Sequence, residues 1–358
     1  MDCGLDFTLV VDAVGDVWGM GESESYQAGL LESSLVPRKV LGLQNIVEVS
    51  CGTRHSAAVD TNGDLWTFGS NKELALGLSD DRKQITLPTR VVGLPSIVSV
   101  VCGTQTLCLD SNGLVWLIGG STDDPRPSSQ PKQLPCRDIS AIYGTAQLYV
   151  CVDLVGDCWI VNSNRFSNLT KTKEHLTKLE LPEHLRIKSV AVGRNHLMIL
   201  DENNALWSLG NGQYKATGLI DTSHSYQLKQ TNIIAAAVSC GIIHTMITDS
   251  NGIFWAFGAN QQGQLGVGSS SRDISYFGVQ DIFRDSPMKQ LRDIEYVANG
   301  GYHSICKSYE GQVWVFGRNS SGQLGIGNRI DQRTPQLLPD QYAALFWPKR
   351  TTAKSARK

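Results

Sequence analysis

Four histidines, His55, His196, His244 and His303, stand at one position of a recurring unit. Histidine is a metal ligand and a general acid or base, so its recurrence raises two kinds of chemistry. A metal centre needs three or four such groups converging about 2 Å from one ion, with partners behind them. These four are spread over separate repeats, so the expectation is that each ties a loop of its own or a neighbouring blade. Carboxylates recur as well: Asp60, Asp110, Asp153, Asp201 and Asp249 each stand just before a turn. There the side chain is expected to cap the bend by accepting backbone N–H bonds, a structural duty in place of acid–base catalysis. The strings GQLGVG (263–268) and GQLGIG (322–327) look like phosphate loops, but they repeat at one place and open no helix, so they read as turn glycines. No GxSxG, HExxH, GxxxxGK[ST] or CxxC is present. No catalytic residue, metal site, cofactor or small-molecule substrate is therefore expected.

The elements that carry these residues are set by a tryptophan register. Trp18, Trp66, Trp116, Trp159, Trp207, Trp255 and Trp314 follow one another at intervals of 48, 50, 43, 48, 48 and 59 residues. Each follows a turn such as NGDLW or EGQVW. Upstream of each lies a second landmark, a glycine leading into an apolar strand, as in CGTRHSAAV, VGRNHLMIL and CGIIHTMIT. Between the two landmarks, alternating apolar residues joined by Asn-Gly or Asp-rich turns predict a hairpin. A proline-led strand such as PTRVVGL (88–94) and a further strand such as IVSVVCG (97–103) complete a unit of four strands. Such a sheet has two apolar faces and must stack on its neighbours. The expected fold is all-β: a seven-bladed propeller of four-stranded antiparallel blades over residues 1–347.

The unit CGTRHSAAVDTNGDLWTFG resembles the regulator of chromosome condensation repeat, over roughly residues 3–340. It is sharpest in the second, sixth and seventh units and weakest in the third and fourth, where Asn162 replaces a glycine. The resemblance implies a seven-bladed ring. It also implies two possible activities: docking of a protein partner, and guanine-nucleotide exchange on the small GTPase Ran, with residence on chromatin. Exchange in that family draws on acidic and histidine side chains of the Gly-x-x-His loops on one face. Here the only acid on those loops is Asp6, while Arg54 and Arg194 have the opposite sign. A photoreceptor branch uses a Gly-Trp-Arg-His-Thr string; this chain has Gly52-Thr53-Arg54-His55-Ser56. The reading is therefore a non-enzymatic interaction scaffold, with exchange on a Ran-like GTPase as the alternative.

A partner is expected where the repeat fails. The longest interval contains residues 269–291, with Tyr276, Phe277 and Phe283 as candidate anchors. Residues 121–135 are rich in Pro and Ser and read as an exposed connection. Arg54 and Arg194 are further candidate contacts. The tail from 348 to 358 concentrates Lys349, Arg350, Lys354, Arg357 and Lys358 in a chain of net charge −2, which suits a phosphate backbone or a targeting signal. The first unit lacks a strand equivalent to Ile46–Val49, and Ala344-Leu345-Phe346-Trp347 aligns there. A C-terminal strand over 343–347 is therefore expected to pair with the N-terminal blade and close the ring. No apolar run long enough to span a membrane and no basic leader are present, and nine cysteines form no metal clip. Those features predict an intracellular, reducing location, with the cysteines as small buried thiols.

Overall fold

The computed structural model describes residues 1–78, 82–120, 129–145, 148–162, 176–212, 214–219, 224–250, 252–268, 273–274, 291 and 293–346. Seven separate four-stranded antiparallel sheets follow one another in chain order. The second shows the plan: Ile46–Cys51 is innermost, then come His55–Asp60, Leu65–Ser70 and, outermost, Gln84–Arg90. Each inner strand touches the inner strands of the blades on either side, and the seventh touches the first, so the sheets form a closed ring about a channel.

The core is divided in the same way. Seven apolar clusters lie between neighbouring blades, one for each joint. The cluster between blades one and two, for example, takes Phe7 and Leu9 from one side and Val49, Ala58 and Phe68 from the other. The turn after each third strand approaches the neighbouring blade closely. Gly266 and Gly325 there have φ of 71° and 69°, a left-handed geometry that explains the repeated GQLG.

Ring closure differs from expectation. Asp2–Cys3 itself is the inner strand of the first blade, pairing with Thr8 and Leu9. Residues Asp340–Ala343 form a short helix and Ala344–Phe346 a 3-10 turn, so no strand forms across 343–346. Pro339 favours this outcome: its φ of −52° suits a helix start, and its carbonyl accepts bonds from Tyr342 and Ala343. A four-residue apolar run does not separate helix from strand by its pattern. The C-terminal segment still reaches the seam, where it packs Phe346, 4% exposed, between blades seven and one.

Candidate functional site

The repeated histidines lie at the blade joints. His55 Nε2 meets Thr106 Oγ1 of the next blade at 2.8 Å, and His196 meets Thr245 at 3.0 Å. His244 meets Ser304 at 3.2 Å, and His303 meets Thr8 at 3.1 Å across the closing seam. Each hydroxyl also donates its proton to a carbonyl in the preceding blade's turn: Ala75, Ala216, Gln264 and Gln323 respectively. A hydroxyl has one proton, so it must accept from the imidazole, which fixes the neutral Nε2–H tautomer. Burial agrees: it lowers His55 and His196 to about 4, and His244 and His303 to about 3. The landmark glycine belongs to the same device. A Cβ at Gly193, Gly241 or Gly300 would come within 2.0–2.1 Å of the ring three residues on.

Where the histidine is absent, the joint is rebuilt. Phe7 takes its place in the first blade, and Ser56 of the second still donates to Gln27 O at 2.6 Å. The third blade has one residue fewer in its loop. Tyr149 of the fourth fills the space, its phenol donating to Gln105 O and accepting from Gln105 N, both at 2.9 Å. Between blades four and five the pair becomes Leu148 and Leu197, a purely apolar contact.

The turn carboxylates are likewise consumed. Asp60 Oδ1 accepts the N–H of Asn62 and of Asp64, and Oδ2 accepts the indole N–H of Trp66 at 3.1 Å. The same indole bond joins Asp12 to Trp18, Asp110 to Trp116, Asp153 to Trp159, Asp201 to Trp207 and Asp249 to Trp255, at 2.9 to 3.4 Å. The seventh turn has Ser308 in place of the acid, and Trp314 follows it without a carboxylate. The Asp-x5-Trp spacing is the signal of this bond in the chain.

All nine cysteines are buried and free. Burial pushes the thiols of Cys3, Cys102 and Cys240 up to about 12, which keeps them protonated and unreactive. Among the described residues, no three His, Cys, Asp or Glu side chains gather to hold a metal.

In an antiparallel meander, the Gly-x-x-His loops and the GQLG turns share one face of the ring. The Asp turns and the connectors between blades share the other. Arg54 and Arg194 are exposed on the first face. Asp6 is on that face too, but it is 7% exposed, 3.0 Å from Arg318 and bonded by Gln323 at 3.1 Å. Burial raises its carboxyl above the ordinary value even with that guanidinium beside it. The second face carries more of the exposed apolar side chains: Val14, Leu154, Val155 and Tyr309 are 60–81% exposed on its turns and Leu41 and Val92 about 70% on its connectors, against Leu31 at 77% and Ile330 at 68% on the first. Tyr276, Phe277 and Phe283 lie outside the described residues, as do Lys349, Arg350, Lys354, Arg357 and Lys358 and part of 121–135.

The channel has a volume of about 800 Å³ and is lined by two further carboxylates, Asp2 and Glu48. Asp2 accepts Cys51 N–H at 2.7 Å, tying the first blade to the second. Glu48 accepts the hydroxyl of Ser99 at 3.0 Å, tying the second to the third, and burial lifts it to about 7. Neither departs from the repeat pattern in a way that composition alone flags.

Models of the regulator of chromosome condensation (RCC1) repeat match residues 14–59, 62–109 and 310–342, and a second such model matches 46–73 and 294–323. The structure of yeast RCC1 (Prp20) superposes with a TM-score of 0.76 at 17% identity, covering 95% of this chain and 86% of that one. That of human WBSCR16 gives 0.74 at 18%, covering 90% and 93%. The chain is an RCC1-like seven-bladed propeller. Among curated proteins it is 28% identical to the ultraviolet-B receptor UVR8 of Arabidopsis thaliana over 292 residues, 74% of this chain and 62% of the receptor. It is 33% identical to an RCC1 domain-containing protein of Dictyostelium discoideum over 243 residues, 68% of this chain and 31% of that protein. The chain thus spans less than two thirds of the length of either relative. The RCC1-like propeller supports a protein-interaction role, and no helix among the described residues is long and apolar enough to cross a membrane.

Proposed function

We propose that this chain is a non-enzymatic interaction scaffold that docks a protein partner on the face carrying the Asp turns. The observation that supports it is the separation of duties between residues. The groups with catalytic potential are spent on joints and turns, whereas large apolar side chains stand exposed on that face: Val14, Leu41, Val92, Leu154, Val155 and Tyr309. Exposed apolar groups gathered on one surface mark interaction sites in soluble proteins. Tyr276, Phe277 and Phe283, in the longest interval between the repeat tryptophans, are proposed as further anchors for the partner. Partners on the opposite face would meet Arg54 and Arg194, and the basic tail offers contacts to nucleic acid or chromatin. The free, buried thiols suit a reducing intracellular compartment.

Affinity capture with mass spectrometry tests the face. The variant Val14→Asp/Val155→Asp/Tyr309→Asp, with its melting curve unchanged, is expected to lose the principal partners. Retention of the same partner set overturns the assignment. Nucleotide release from a panel of GTPases separates exchange from scaffolding. Prp20p of Saccharomyces cerevisiae, a similar propeller, has binding properties to Gsp1p and histones. In this chain the lone acid of the corresponding loops, Asp6, is held by Arg318 and Gln323, which weighs against exchange.

A further inference from the structure

The turn of the fourth blade departs from its siblings. In the second and third blades the residues after the turn aspartate are Thr61-Asn62-Gly63 and Ser111-Asn112-Gly113; in the fourth they are Leu154-Val155-Gly156. The backbone is unchanged. Asp153 Oδ1 accepts the N–H of Val155 at 3.1 Å and of Asp157 at 2.8 Å, as Asp60 does for Asn62 and Asp64. Gly156 has a φ of 89°, beside 80° at Gly63. Aspartate and glycine thus hold the turn, and it needs neither apolar side chain. Leu154 and Val155 nevertheless stand 74% and 81% exposed. Large apolar groups without a structural duty at a turn tip mark a contact surface.

The charge around this turn decides what the contact is. Asp138 adjoins it, its carbonyl accepting the Leu154 N–H at 2.8 Å. Glu180 and Glu183 are exposed on the connector that leaves blade four, and Glu202 of the next turn is tied to that connector through Arg186 O at 3.0 Å. The pattern continues round the face. Six turns open on an aspartate bonded to its tryptophan, and Glu310 and Asp340 are exposed in blade seven. Lys39, Arg90 and Lys178, at the ends of outer strands, are each engaged by a turn aspartate: Asp16, Asp64 and Asp157. Lys188, on an inner strand, donates to Asn204. Among the described residues of the turns and connectors themselves, Lys and Arg are limited to Arg137 and Arg186, and Arg186 donates to the carbonyls of Glu183 and Leu185. The loops of the opposite face carry both signs, with Arg54, Lys72 and Arg329 among Glu22, Glu24 and Glu73. A chain of net charge −2 therefore concentrates its acid on one face.

We propose that this face docks a basic polypeptide segment, which sets an apolar side chain on Leu154 and Val155 and its lysines or arginines beside Asp138, Glu180, Glu183 and Glu202. The proposal rests on the assignment of the partner to the Asp-turn face and adds the partner's chemistry. Apolar contact supplies the anchor, while the carboxylates steer the encounter and select the sign of the partner. The same field disfavours other occupants. A nucleic-acid backbone or an acidic protein meets like charge. A second copy docked face to face would set one acidic surface against another.

The test selects binders to the full chain from a random library of peptides about twelve residues long, then titrates the selected peptides singly. They are expected to be rich in Lys or Arg, to contain Leu, Val or Ile, and to weaken as salt rises. The variant Asp138→Asn/Glu183→Gln/Glu202→Gln, with its melting curve unchanged, should bind them about tenfold more weakly. Leu154→Ser/Val155→Ser should weaken them by a similar factor. Selection of acidic or neutral peptides, or of none, overturns the proposal, as does binding that both variants retain. Peptides selected only after removal of residues 349–358 would make the chain's own basic tail the occupant, and overturn it likewise. The capture experiment reads the face separately. Partners lost by the Val14→Asp/Val155→Asp/Tyr309→Asp variant but kept by the neutralised one would show the face to be right and the basic chemistry wrong.

Discussion

Acidification between pH 7 and pH 5 should loosen the ring at four joints together. His55 and His196 have folded values of about 4 and His244 and His303 of about 3, against an ordinary 6.5. A histidine held neutral by the fold binds fewer protons folded than unfolded, so stability falls as pH drops below about 6.5. At pH 5 each contributes a loss of about 2 kcal/mol, or about 8 kcal/mol for the four. Glu48, lifted to about 7, works in the other direction and returns about 2 kcal/mol over the same range. An entropy of unfolding of about 2.1 cal/mol/K per residue makes 1 kcal/mol worth about 1.3 °C in a chain of 358 residues. The melting temperature should therefore fall by about 8 °C between pH 7 and pH 5. Each of H55Q, H196Q, H244Q and H303Q, which keep a donor but cannot titrate, should remove about 2 to 3 °C of that fall. Calorimetry across the pH range reads the effect. Side-chain NMR gives an independent reading if a variant folds poorly: four imidazoles should stay neutral and unshifted at pH 5. Titration of these four near pH 6.5, or an undiminished acid loss in the variants, refutes the clip and the tautomer derived from it.

Glu48→Gln keeps an acceptor for Ser99 but removes the charge, so it should stabilise the protein above pH 7 by about 1–3 kcal/mol and have no effect near pH 4. A pH-independent change in melting temperature would show that burial of the carboxylate is not the cause. Phe346→Ala should cost about 3–5 kcal/mol, lowering the melting temperature by about 5 °C, because it empties a site in the core between blades seven and one. An unchanged melting curve would mean that the C-terminal turn does not hold the seam.

Much of this architecture could be read from the chain because a repeat tests itself. Trp66 and its six counterparts give the register, and the landmark glycines give the strand order, so errors in one unit are corrected by the others. What could not be read lies where units deviate singly. Tyr149 stands in for a histidine only because the loop of blade three is one residue shorter, a compensation between two blades that no single unit displays. The seam failed for a related reason. Ala344–Phe346 has no second copy to compare with, and an apolar run that short fits a helical turn as well as a strand. Glu48 stayed hidden because its equivalents, Ser99 and Tyr296 among them, share no chemistry.

The joints also explain why the ring can carry such degenerate repeats. Apolar packing between blades is non-directional, and in place of a histidine clip it joins the fourth blade to the fifth through Leu148 and Leu197, beside a single bond from the Thr145 hydroxyl to Gly193 O at 3.2 Å. A clip adds something packing lacks. His303 reaches Thr8, and Thr8 reaches Gln323, so one side chain of the first blade is fixed by two elements of the seventh. A slip of the seam by one residue would leave a buried donor and a buried acceptor unmatched, at a cost of about 1–3 kcal/mol each. The seam is the joint with no covalent link between its blades in the chain, and it is also where Asp6, Arg318, Gln323 and Phe346 add to the clip. A polar network of four side chains, His303, Thr8, Asp6 and Arg318 with Gln323 beside them, thus stands where the chain supplies no covalent connection.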